Sequence, residues 1–240
     1  MRSAQLAKHR CDAAINRGNR RGGPEPTRRS PPASDLLAMS LWRGTAPLVL
    51  ASQSQIRQAI LKAAGIPHQV EAARIDERAI EQRLGASSPG DVAQLLAREK
   101  ALAVCARRAG ALVIGADQTL AAEGHRFSKP GDRETARKQL RLLRHRTHEL
   151  HSAVAIARDN LVLFEHREVA RLTMRDFSDA YLEAYLDAMG SAVTASVGGY
   201  QLEKVGIQLF ERVEGDHFVI LGLPVLALLR FLRQEQLLLA

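Results

Sequence analysis

The stretch "PLVLASQSQIRQAIL", residues 47–61, decides the fold class. Its apolar run breaks at Ser52 into small and polar residues, then resumes at helical spacing with Ile56, Ala59, Ile60 and Ala63 before Gly65. This pattern predicts a short buried strand running directly into a helix, the opening of an α/β unit. Ser52 and Ser54 fall where the helix starts, and a helix start exposes unpaired N–H groups. Hydroxyls there can simply cap the helix; together with Arg57 they can also form a cradle for a phosphate.

Working outward, "HQVEAA" predicts a second strand and "PGDVAQLLAREKALAVCARRAG" a long amphipathic helix with Pro89 near its start and Gly110 past its end. "ALVIGAD" is a strand, "QTLAAEGHRFSKP" a hairpin turning at Glu123-Gly124, and "DRETARKQLRLLRH" a charged helix. Residues 147–177 predict a long hairpin with Asp159-Asn160 at the turn. A helix "SDAYLEAYLDAMG", a glycine loop "SVGGYQLE", a strand pair "GIQLFERVEGDHFVIL" and a final helix "PVLALLRFLRQEQ" follow. Strands and helices interleave without repeats, so the expected class is α/β (mixed α+β), one body with two lobes around a cleft.

The net charge of +8 is uneven. Residues 1–38 carry eight Lys/Arg against three acids and supply +5, which leaves +3 for residues 39–240. The leader is rich in Arg, Gly, Pro and Ser without an apolar period, and reads as a disordered basic extension. It lacks the apolar core of a secretory signal, and Asp12, Glu25 and "GGPEP" fit an organelle transit peptide poorly. Met39 opens "MSLWRGTAPLVLAS", which reads as the natural start of a single domain over 39–240. Few aromatics and no basic-aromatic stripe in that body argue against a nucleic-acid partner. No apolar stretch approaches the ~20 residues of a membrane span. Cys11 and Cys105, far apart, offer neither a disulfide framework nor a thiolate metal site, so a reducing cytoplasm is expected.

Further polar residues fall at loop-facing positions. Asp117 follows "LVIGA" and is expected at a strand end beside small residues that let something bulky approach; an aspartate there is otherwise a turn-former. Lys100, one turn after Leu96, can reach inward or lie on the surface. Lys129 precedes Pro130, and Asp76-Glu77 follow the second strand, where acids usually serve solvation. If they converge, two acids, two lysines and an arginine around a serine cradle suit a polyphosphate carried with a divalent cation. His148 and His151 lie on a strand with His148 facing away from Thr147 and Glu149, which makes no metal pair. No Walker A, GxGxxG or GxSxG sequence occurs.

Taken together, "LASQSQIRQAIL", "RIDE", "LAREKA", "VIGADQTL", "SKPGD", "RTHELHSAVA", "SVGGYQLE" and "LFERVEGDHFVILGLPV" resemble, in order and spacing, the Maf family of nucleoside triphosphate pyrophosphatases, from about Pro47 through the final helix. The resemblance implies a two-lobed fold with a central mixed sheet, flanking helices and a deep nucleotide cleft. It also implies a homodimer, Mg²⁺ or Mn²⁺, and cleavage of nucleoside triphosphates to the monophosphate and pyrophosphate, cleaning the nucleotide pool. Some members are linked to arrest of septum formation, so a non-catalytic nucleotide-binding regulator of division is the alternative.

By the same resemblance Ser52, Ser54 and Arg57 match the phosphate loop, Lys100 and Lys129 the phosphate-neutralising lysines, and Glu77 and Asp117 the carboxylates that hold the cation or act on water. The family loop commonly reads serine-proline-arginine-arginine, and one arginine is absent here. An aspartate-lysine pair common before the glycine loop is replaced by Ala195 and Ser196. The positions that tune base choice hold Ile56, Gln118 and Glu203. The branch acting on dTTP and UTP has Arg, Thr and Gln there, and the branch acting on 7-methyl-GTP has Trp, Gln and Glu, so two of three resemble the latter. A carboxylate at Glu203 could accept from the N1–H and amine of a guanine.

Overall fold

The computed structural model describes residues 41–85 and 87–239. The expected extension over 1–38 and the start at Met39 lie outside the described residues. Seven strands form one sheet: β1 (Leu48–Leu50), β2 (His68–Val70), β3 (Val113–Ala122), β4 (His125–Phe127), β5 (Thr147–Arg158), β6 (Leu161–Met174) and β7 (Phe210–Glu214). The order is β2-β1-β3-β5-β6-β7, with β4 folded back on β3. β1 pairs in parallel with both β2 and β3, whereas the remaining pairs are antiparallel. The sheet is therefore mixed, as expected.

Among the described residues the helices are α1 (Gln55–Ala63), α2 (Glu77–Leu84), α3 (Pro89–Cys105), α4 (Arg133–Leu143), α5 (Asp179–Met189), α6 (His217–Ile220) and α7 (Val225–Gln234). Burial explains their placement. Parallel strands need both faces covered, and the β1–β3–β5 region has α1 and α7 on one face and α3 on the other. On the first face Leu48, Leu50, Ile114 and Ile156 meet Leu61, Leu228 and Leu232. Each fully buried leucine of this kind contributes about 2 kcal/mol. Farther along, α4 and α5 cover Leu120, Leu150, Leu172 and Met174.

The α3 face is made of small residues. Ala93, Ala97 and Ala101 pack on Val113, Ala153 and Ala155. Gly115 lets the helix come so close that a Cβ there would sit 2.0 Å from the Ala97 carbonyl oxygen. The bulky group expected to approach the small residues before Asp117 is thus this helix.

Three local expectations are corrected. Asp76-Glu77 do not end in a loop: Asp76 caps Ala79 N–H at 3.0 Å and Glu77 opens α2. Asp117 is not at the end of its own strand, because β3 outruns its short parallel neighbour and continues to Ala122 against β5. It lies three residues beyond Ile114, the last β3 residue paired with β1. The second member of the final strand pair is α6, since Asp216 accepts from both Phe218 and Val219 N–H and turns the apolar run "HFVI" into a short helix. The Asp159-Asn160 hairpin is as expected, both residues taking positive φ, 51° and 62°.

Candidate active site

The N-terminus of α1 begins the site. Ser54 is the N-cap, its Oγ accepting from Arg57 N–H at 3.4 Å, and Ser52 Oγ accepts from Ser54 N–H at 3.3 Å. No acid occupies the first turn, so the N–H groups of Gln55 and Ile56 and the positive end of the helix dipole keep their capacity for an anion. The two serines do both things the sequence allowed: they order the turn, and they leave donors unspent.

Arg57 ties this turn to the neighbouring strand. Its Nη1 donates to Ser52 Oγ at 3.2 Å and to the Ala116 carbonyl at 2.9 Å, and its Nε donates to the Gly222 carbonyl at 2.8 Å. Burial lowers the pKa of the guanidinium, while Asp117 and Glu77 nearby act in the opposite sense. A guanidinium remains charged under such a balance.

Asp117 follows Ala116 and faces α3. Its Oδ1 accepts from Lys100 Nζ at 2.6 Å, and the same ammonium lies 2.9 Å from Glu77 Oε1. Lys100 is 9% exposed and Asp117 7%, whereas half of the Glu77 side chain faces solvent. Burial raises the Asp117 pKa, and Lys100 and then Arg57 pull it back. A carboxylate raised in this way is more basic than a free one. Because α3 sits so close over Gly115, Lys100 is delivered to the strand without a long reach.

The structure therefore brings together Ser52, Ser54, Arg57, Glu77, Lys100, Asp117 and Gln118. Gln118 Nε2 donates to Ser152 Oγ at 2.9 Å and to the Val219 and Ile220 carbonyls at 3.0 Å each. Other expected residues stand apart from these contacts. Lys129 is exposed and makes no ion pair among the described residues, and Glu203 is exposed in a turn. Ile56 packs on the apolar cluster that includes Leu223. Ser196 donates to the Tyr200 carbonyl and closes the glycine turn.

Two participants were missed from sequence. Ser152 is fully buried and donates to the Val219 carbonyl at 2.6 Å. Gly222, at φ +92°, supplies the carbonyl that holds Arg57. The only available signal for Ser152 was a hydroxyl directly before the apolar run Ala153–Ala157.

Among the described residues no group of three His, Cys, Asp or Glu could hold an ion. His148 instead bonds Tyr200 Oη at 2.7 Å, and His151 bonds Glu149 at 3.0 Å. Glu77 and Asp117 are nonetheless hard oxygen donors converging on one cation, the Lys100 ammonium. Two such carboxylates suit Mg²⁺ or Mn²⁺ when substrate phosphate oxygens complete the coordination. Among the described residues no helix is long and apolar enough to cross a membrane.

The sequence is similar to those of known proteins. The family model described as "Maf-like protein" matches residues 47–235. A nucleoside triphosphate pyrophosphatase of Rhodopseudomonas palustris (strain BisB18) is 54% identical over 200 residues, covering 83% of this chain and 99% of the relative. One of Bradyrhizobium diazoefficiens is 58% identical over 199 residues, covering 83% and 98%. One of Paramagnetospirillum magneticum is 52% identical over 189 residues, covering 78% and 97%. With the match running from the first strand to the last helix, through every residue of the cluster around Asp117, the chain belongs to the Maf-like protein family.

Proposed function

We propose that the chain hydrolyses nucleoside triphosphates to the monophosphate and pyrophosphate. The observation that carries this reading is Arg57, which joins an acid-free helix N-terminus to the strand bearing a buried, paired aspartate. Anion-binding donors and a basic carboxylate are thereby held in one rigid unit. The curated relatives carry the corresponding activity in their names.

The triphosphate would lie against the α1 N–H groups and the Ser52 and Ser54 hydroxyls, with Arg57, Lys100 and Lys129 offsetting its charge. Asp117 Oδ1 is engaged by Lys100, and Oδ2 has no hydrogen-bond donor among the described residues. Oδ2 is the atom to take the proton as a water oxygen attacks the α-phosphorus. The new bond is water oxygen to α-phosphorus, the broken bond is α-phosphorus to the bridging oxygen, and pyrophosphate leaves with that oxygen. Glu77 and Asp117 would hold a divalent cation, which when bound supplies neutralisation of phosphate oxygens and polarisation of water. On the base side, the acceptor at Glu203 favours a guanine-like donor edge, which includes 7-methyl-GTP.

The test is pyrophosphate release by the full chain from a panel of standard and modified nucleoside triphosphates, with Mg²⁺, Mn²⁺ or EDTA. Metal-dependent release matched by the monophosphate is expected, fastest for a guanine-like base. Binding without turnover of any nucleotide would replace this reading by the regulator; turnover undiminished by EDTA would remove the cation.

A further inference from the structure

Ser152 is 0% exposed in the middle of β5, in a run whose neighbours Ala153 to Ala157 are all buried and apolar. It is paired with Gln118 across the β3–β5 ladder. Its hydroxyl proton is committed to the Val219 carbonyl at 2.6 Å, so toward Gln118 the oxygen can only accept. Gln118 Nε2 then faces three oxygens, from Ser152, Val219 and Ile220. An amide nitrogen has two hydrogens, both drawn to that side, so Oε1 is the end left facing away.

What Oε1 faces is set by Gly222. A Cβ at that glycine would come within 3.5 Å of Gln118 Oε1 and 3.4 Å of Arg57 Nη2. Both groups thus border one gap kept clear by the absence of a side chain. The Gly222 carbonyl, in the turn that Gln118 and Ser152 hold from below, is also the acceptor for Arg57 Nε at 2.8 Å. A hydroxyl that only satisfied its own proton would need a single acceptor from an element packed on that face of the sheet. This one bonds a turn 67 residues away and the side chain next to Asp117.

We propose that Ser152 is a positioning residue for the nucleotide site, fixing Gln118 with its carbonyl oxygen outward. The proposal rests on the triphosphate reading above. It implies that the substrate meets an acceptor at Gln118, so the group placed there is an N–H or O–H of the base or sugar.

The experiment is steady-state pyrophosphate release by Ser152→Ala, Ser152→Thr, Gln118→Ala and the double variant, with thermal melting of each. Loss of a buried polar contact that supports binding equally in ground and transition states should raise KM about tenfold in Ser152→Ala and leave kcat within about threefold. The threonine variant, retaining the hydroxyl, should restore KM to within about twofold. In the Gln118→Ala background, Ser152→Ala should add no further rise in KM. A lowered melting temperature with unchanged KM, or KM effects that multiply in the double variant, would overturn the proposal. Wild-type protein releasing no pyrophosphate would defeat the functional reading alone. Calorimetric Kd values for a non-hydrolysable triphosphate must then show the same pattern, and absence of binding or of the pattern overturns the Ser152 proposal as well.

Discussion

Asp117 and His148 are both buried on the central sheet, and their surroundings are built in opposite ways. Around Asp117 the groups are charged and face one another: Lys100, Glu77 and Arg57 all lie within its field. Beside it the α1 N-terminus holds donors that the protein does not use. Around His148 the groups are neutral and closed off by Tyr200 and Phe210 rings at 5.6 and 5.9 Å. Burial alone lowers the His148 pKa to about 4, and burial, then the neighbouring Tyr185, raise that of Tyr200. Burial of a titratable side chain thus marks a site only where unspent donors lie next to it; without them it marks a core.

The helix N-termini repeat the contrast. The other side-chain-capped helices of eight or more residues, α2 to α5, each carry an acid in the first turn: Glu77, Asp91, Glu134 and Asp179. On α3, Asp91 is bonded by the Ser88 hydroxyl and Arg167, which hold its carboxyl below the usual range. Only α1 among these five leaves the dipole unanswered.

The largest test of this contrast is Asp117→Asn, for which pyrophosphate release should fall by about 10²–10⁴-fold, the usual contribution of a general base. Circular dichroism should show an unchanged fold, and wild-type rates would take Asp117 out of the chemistry. The His148 side of the comparison predicts a pH effect instead. Its folded pKa lies below the unfolded value of about 6.5, so the unfolded chain takes up the proton first. His148 therefore costs no stability above about pH 6.5, and stability is lost as pH falls toward 4, about 3 kcal/mol across the window. Urea midpoints of wild type and His148→Gln at pH 7 and pH 4.5 check this; equal losses on acidification would show that His148 is not the group responsible. The smallest effects distinguish the helix ends. Gln55→Glu, placing an acid on α1, should raise KM for a triphosphate several-fold, while Asp91→Asn should leave KM alone and cost about 0.5–1 kcal/mol of stability. A KM change from the Asp91 variant would break the distinction.

How legible each part was depended on how far its partners lie along the chain. The α1 cap was readable because N-capping uses residues within one turn, and the Asp159-Asn160 hairpin because its turn needs two positive φ angles. The helix at Glu77 was hidden because only Ile80 of α2 is buried, so no apolar period announces it. β3 is buried on both faces, which erases the alternation that would have shown it continuing past Asp117. "HFVI" is too short for its period to separate strand from helix. The convergence of Lys100 and Glu77 on Asp117 was suggested by residue type and resemblance; the link from Ser152 to Val219 spans 67 residues and has no local signature.

Gly115 carries a consequence for reading damage in this enzyme family member. It acts as a spacer gauge: the distance between α3 and β3 is fixed by a hydrogen atom, and that distance is what lets Lys100 meet Asp117. An alanine there would wedge the helix outward while every side chain of the active cluster kept its identity. The lesion would be seen as lost activity in a protein whose clustered polar residues are all present, and inspecting those residues alone would never locate it.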